Sequence, residues 1–133
     1  MPDEKPKILI IDDDNDFREI FKAKLEASGF EVAAAADGQT GMDKARIYRP
    51  HVILLDVKMP GMSGIETLVR MKADPELKDM TVIFLTSFGE ADEDASWVDN
   101  KFAKEIGAVA HIRKSDDLDK IVKQIMDTIY PKV

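Results

Sequence analysis

The sequence predicts an α/β domain: a doubly wound parallel sheet of five strands, with a helix following each strand. Three observations predict it. Short apolar runs with strand character recur along the chain, among them Ile8-Leu9-Ile10-Ile11, Val52-Ile53-Leu54-Leu55, Val82-Ile83-Phe84-Leu85 and Val109-Ala110-His111-Ile112. Between them lie stretches whose apolar residues repeat at helical spacing, and strands alternating with helices imply right-handed parallel crossovers. Each of these runs also stops at a polar residue: Asp12-Asp13-Asp14, then Asp56, then Thr86-Ser87, then Lys114. In an open parallel sheet the carboxyl ends of the strands line one edge, where ligands bind.

The elements follow in order. Residues 1–6 are polar with two prolines and form a loose arm. Lys7 to Ile11 is a strand buried on both faces. Asp14 or Asn15 caps a helix with Phe17, Ile20, Phe21 and Leu25 at helical spacing, closed by Ser28-Gly29. Phe30 to Ala35 is an alanine-rich strand. Asp37-Gly38 starts a helix running to about Tyr48, with Met42, Ala45 and Ile47 inward and Pro50 as its stop. His51 to Leu55 is the most apolar strand and belongs at the centre. A loop through Met59-Pro60-Gly61 leads to a helix with Ile65, Leu68, Val69 and Met71, ended by Asp74-Pro75. Thr81 to Leu85 is the next strand, and 87–95 an acidic loop. A helix over about Ser96 to Ile106 carries Val98, Phe102 and Ile106, and Gly107 closes it. Ala108 to Ile112 is the last strand. Ser115 caps a last helix with Leu118, Ile121, Val122, Ile125 and Ile129.

Composition bounds the function. At 133 residues the chain reads as one domain, large enough to bury a core. With 44% apolar and 34% charged residues it reads as globular rather than disordered. A net charge of −7 without a basic cluster argues against a nucleic-acid surface. The absence of cysteine excludes a disulfide scaffold and thiolate metal sites. No apolar run reaches the length of a membrane span, and Met1-Pro2-Asp3-Glu4 opens no signal peptide, so the expected location is cytoplasmic.

Each strand-end residue has a plainer reading when taken singly. An aspartate triplet after a strand is commonly a helix cap, Asp56 a turn residue, Thr86-Ser87 a loop start and Lys114 a solvated lysine. His111 taken alone is a half-buried edge-strand residue, and Trp97 a packing residue of the helix it lies on. In that order, each at the end of a strand, the four features speak jointly for one site. Three carboxylates, a hydroxyl and an ammonium suit a divalent metal beside a nucleophilic carboxylate, with two groups ready to hold a phosphoryl.

These residues resemble a family. Ile11-Asp12-Asp13 is similar to the acidic pair of response-regulator receiver domains, the CheY-like phosphoacceptor modules of two-component signalling. Asp56-Val57-Lys58-Met59-Pro60-Gly61-Met62-Ser63-Gly64 resembles their D-x-x-M-P-G-x-x-G loop. Thr86-Ser87 resembles their hydroxyl position and Lys114 their lysine. The likeness covers roughly residues 5–130, within a single domain over 1–133 that holds no output domain. It implies a flavodoxin-like sheet of order 2-1-3-4-5. It also implies that Asp56 takes a phosphoryl from the phosphohistidine of a histidine kinase or phosphotransfer protein, and that the domain slowly dephosphorylates itself. Mg²⁺, with Mn²⁺ as a substitute, would be held by Asp13 and Asp56, by Asp12 partly through water, and by the backbone carbonyl of Lys58. Lys114 and the Thr86 hydroxyl would contact the phosphoryl. Thr86 and the residue three before the lysine, here His111, would form the switch. The switch would change partner binding on the face of the 96–106 helix, the fifth strand and the last helix. A monomer is expected, with dimerisation on phosphorylation as an open alternative.

Two departures from the family pattern bear on the site. Ser115 follows Lys114 where the family has proline after a cis bond, so the bond is either trans with a loop shift or a strained cis bond. The spacing from Thr86 to Lys114 is 28 positions, a few more than the family commonly has, which places a short acidic insertion at Gly89-Glu90-Ala91-Asp92-Glu93-Asp94-Ala95. Lys58 and Phe88 flank the site and would slow hydrolysis of an acyl phosphate. Three rivals compete. A haloacid-dehalogenase-like phosphatase would use Asp12 and Asp14 as D-x-D, but Asp16 stands where Thr or Val is wanted and Asp56 is left unexplained. A calcium loop from Asp12, Asp14 and Asp16 would need Gly and Glu where Phe17 and Ala23 stand. A phospho-independent docking module would leave the intact site without a purpose.

Overall fold

A computed structural model of the protein describes residues 5–87 and 105–131. Five parallel strands form one sheet in the order β2-β1-β3-β4-β5: β1 Lys7–Ile11, β2 Glu31–Ala35, β3 Val52–Asp56, β4 Val82–Thr86 and β5 Ala110–Arg113. The predicted sheet and strand order are therefore present, with β3 at the centre between β1 and β4. Every residue of β3 and β4 is buried, because helices cover both faces of a parallel sheet.

Side chains alternate across a strand, so each strand feeds two cores. One face carries Leu9, Ile11, Ile53, Leu55 and Phe84 against Met42 and Ala45 of α2 (Gly38–Tyr48) and Leu68 and Met71 of α3 (Gly64–Lys72). The other carries Ile8, Ile10, Leu54, Ile83, Leu85 and Ile112 against Phe21 and Leu25 of α1 (Asn15–Ala27) and Ile121 and Ile125 of α4 (Leu118–Ile129). Helix starts are set locally. Asp14 accepts from the Phe17 amide and Ser63 from the Glu66 amide, each satisfying a donor the first turn leaves open. Asp37 does the same for Thr40, whose amide and hydroxyl hold the Asp37 carboxyl below its ordinary range.

Three points differ from the sequence reading. The described residues hold four helices where five were expected, because the 96–106 helix falls outside them except for Glu105 and Ile106, which are helical. Trp97, Phe88 and the 89–95 insertion also lie outside the described residues. Ile47 points outward at 86% exposure, since it lies two residues past Ala45 and about 200° round the helix. Ser115 does not cap the last helix; Asp117 occupies that position, while Ser115 and Asp116 form a turn whose Asp116 amide donates to the Arg113 carbonyl. Among the described residues no peptide bond is cis, so the Lys114–Ser115 bond is trans.

Candidate functional site

The carboxyl edge of the sheet brings the predicted residues together. Asp12 follows β1 and is wholly buried, its amide donating to the Ala35 carbonyl at 3.1 Å. Its Oδ1 accepts from the Asp14 amide at 2.9 Å, and its carbonyl accepts from Arg18 Nη1 at 2.9 Å, which ties α1 to the end of β1. Asp13 is exposed. Asp56 ends β3 and is only 3% exposed. Carboxylate oxygens of Asp12, Asp13 and Asp56 lie within 4.8 Å of one another.

Lys114 enters from the turn after β5. Its ammonium lies 2.6 Å from Asp12 Oδ2 and 3.6 Å from Asp56 Oδ2. Its amide donates to the Thr86 carbonyl at 2.8 Å, which fixes the turn against the end of β4. The trans bond to Ser115 therefore still allows the lysine to reach the carboxylates. Thr86 is wholly buried, and among the described residues its Oγ1 has no hydrogen-bond partner. A buried hydroxyl left this way costs about 1–3 kcal/mol. His111 pairs with Phe84 in the sheet register and shares the face of Thr86 by alternation. It is half-buried, and its Nδ1 is enclosed without a hydrogen-bond partner among the described residues. Lys58 presents an exposed side chain.

The donor set fits a small divalent cation. Three carboxylates against one ammonium leave excess negative charge in a mostly buried place, and hard oxygen donors suit Mg²⁺. The unpartnered Thr86 hydroxyl fits an added group with acceptor oxygens.

Gly64 holds the loop to the strand. Its amide donates to the Val57 carbonyl at 2.8 Å, and a Cβ at this position would meet the Asp56 carbonyl oxygen at 2.1 Å. Both are backbone atoms and cannot swing aside. Gly64→Ala is expected to lose about 2–3 kcal/mol in urea unfolding and to displace Asp56. An unchanged midpoint would refute the close approach. Sequence reading also missed Phe17, whose ring centroid lies 4.7 Å from the Lys114 ammonium. Its place in the first turn after the acidic triplet was the only available signal.

Comparison with known proteins identifies the family. The family model of the response regulator receiver domain matches residues 8–126. The chain is 38% identical over 115 residues to sporulation initiation phosphotransferase F of Bacillus subtilis, covering 86% of each protein. It is 32% identical over 121 residues to the polar-differentiation response regulator DivK of Brucella anthropi, covering 90% of this chain and 94% of that one. Among solved structures, a CheY-like receiver domain protein of Methanospirillum hungatei superposes with a TM-score of 0.78 at 30% identity, covering 96% of this chain and 95% of that one. The chemotaxis protein CheY4 of Vibrio cholerae gives a TM-score of 0.80 at 26% identity, covering 94% of this chain and 99% of that one. With a buried acidic pocket at the carboxyl edge of a 2-1-3-4-5 sheet, and a family match over nearly its whole length, the chain belongs to the response regulator receiver domains of two-component signalling.

Proposed function

We propose that Asp56 accepts a phosphoryl group from the phosphohistidine of a histidine kinase or phosphotransfer protein. A carboxylate oxygen of Asp56 attacks phosphorus and a P–O bond forms. The P–N bond breaks, and its electron pair returns to the imidazole. Asp12, Asp13, Asp56 and the Lys58 backbone carbonyl would hold Mg²⁺, or Mn²⁺ in its place, and the ion supplies positive charge against the phosphoryl oxygens. Lys114 adds a second positive charge where negative charge gathers. The Thr86 hydroxyl donates to a phosphoryl oxygen after transfer. Its shift releases His111, on the same sheet face, to change position, and the surface of β5 and α4 then changes partners.

One observation carries this reading: a nearly buried Asp56 has two further carboxylates within 4.8 Å and the Lys114 ammonium at 3.6 Å. The test is intact mass after incubation with acetyl phosphate. A gain of about 80 Da with Mg²⁺, lost in EDTA, is the expected result. If neither acetyl phosphate nor a beryllium fluoride mimic binds, the chain is a phospho-independent docking module instead.

A further inference from the structure

Lys114 is held by more than its carboxylates. Its ammonium stands 4.7 Å from the centroid of the Phe17 ring, a contact between the first turn of α1 and the turn after β5. Phe17 is itself fixed. Its amide donates to the capping carboxylate of Asp14 at 3.1 Å, and its ring stacks on Phe21 at 4.8 Å between centroids and 21° between planes. A cleft of about 170 Å³ lies beside this contact, with Phe17, Phe21, Leu118 and Ile121 among its walls. Lys24 and Asp116 also line the cleft, and the Lys114 side chain is only 19% exposed, so its partly desolvated ammonium is attracted more strongly to a ring face.

A lysine stem is long and flexible, and the turn beyond it contains Ser115 and Asp116 in place of any rigid residue. The ammonium lies 2.6 Å from Asp12 Oδ2 and 3.6 Å from Asp56 Oδ2 with the Phe17 ring beside it. An aromatic face attracts the cation without neutralising it. We propose that Phe17 is a positioning residue for Lys114, packing its ring against the ammonium so that the flexible stem stays seated beside Asp12 and Asp56, where a phosphoryl oxygen on Asp56 would meet it. The kinetic part rests on the receiver reading given above; the contact itself does not.

Two variants separate the ring face from mere bulk. Phe17→Leu keeps an apolar side chain and removes the π face, while Phe17→Tyr keeps it. With acetyl phosphate and Mg²⁺, Phe17→Leu is expected to form the acyl phosphate about tenfold more slowly than wild type. Phe17→Tyr is expected within about twofold. By NMR, the Lys114 Hε protons should be shifted upfield by the ring in wild type and Phe17→Tyr, and should return to ordinary values in Phe17→Leu. Equal rates in wild type and a folded Phe17→Leu would overturn the proposal, as would Phe17→Tyr being as slow as Phe17→Leu. If wild type itself takes no phosphoryl, the receiver reading fails and the Hε shift still decides the contact: no upfield shift overturns it.

Discussion

Asp56→Asn is expected to take up no phosphoryl from acetyl phosphate, with a rate lower by on the order of a thousandfold or more. Asparagine has nearly the same shape, so it preserves the packing of a residue that is only 3% exposed. On the proposed reading it removes the anionic oxygen that would attack phosphorus. It also removes one of three carboxylates that lie within 4.8 Å of one another. Like charges held that close repel, so the variant should unfold at the same or a higher temperature than wild type in EDTA. Mg²⁺ should raise its melting temperature less than it raises that of wild type, because one charged ligand is gone. Intact mass and thermal melts with and without Mg²⁺ check all three. An adduct of normal size in Asp56→Asn would move the nucleophile elsewhere.

Lys114→Ala should act in the opposite sense on stability. The ammonium lies 2.6 Å from a wholly buried Asp12 and 3.6 Å from Asp56. Removing one partner of a buried pair leaves the other charge uncompensated, which costs about 3–5 kcal/mol in well-buried cases. The Lys114 side chain keeps 19% of its exposure, so a loss of about 3 kcal/mol in EDTA is the expected value. Mg²⁺ should recover part of that loss by supplying the missing positive charge. Acyl phosphate formation should fall about a hundredfold even at saturating Mg²⁺, because a charge aimed at the developing negative charge is gone. Urea unfolding in EDTA and in Mg²⁺, paired with the mass assay, measures both. An unchanged midpoint in EDTA would mean that the ion pair contributes nothing to the fold.

These two effects oppose each other because the pocket is built for charge rather than for packing. Asp12, Asp13 and Asp56 stand together at the cost of mutual repulsion, and the Thr86 hydroxyl is buried with no hydrogen-bond partner among the described residues. Elsewhere the fold satisfies such groups, as where Asp74 accepts from the Glu76 amide and pairs with Arg46. Those contacts, the amide first and the guanidinium second, hold the Asp74 carboxyl below its ordinary range. A carboxylate lowered in this way stabilises the fold above its unfolded pKa, and that contribution is lost as pH falls through the folded value.

Much of this was legible in the chain because it depends on neighbours in sequence. Strand runs, the helix-starting residues Asp14 and Asp37, and Gly29 after Ser28 follow from local hydrogen bonding and period. The convergence of Asp12, Asp56, Thr86 and Lys114 was also legible, since parallel strands align their carboxyl ends whatever the exact register. Contacts between distant segments were not. Ile47 breaks the inward pattern of α2 by helical phase, and Ser115 yields the cap to Asp117 because the turn closes on Asp116. That Asp12 is buried while its neighbour Asp13 is exposed, that Gly64 abuts the Asp56 backbone, and that Phe17 faces Lys114 all depend on how α1 and α3 seat on the sheet. By itself the sequence determined the architecture and which residues stand at the strand ends, because periodicity and strand ends are one-dimensional properties. Only the tertiary structure decided their burial, spacing and charge balance, because those are set by side chains packed across elements far apart in the chain.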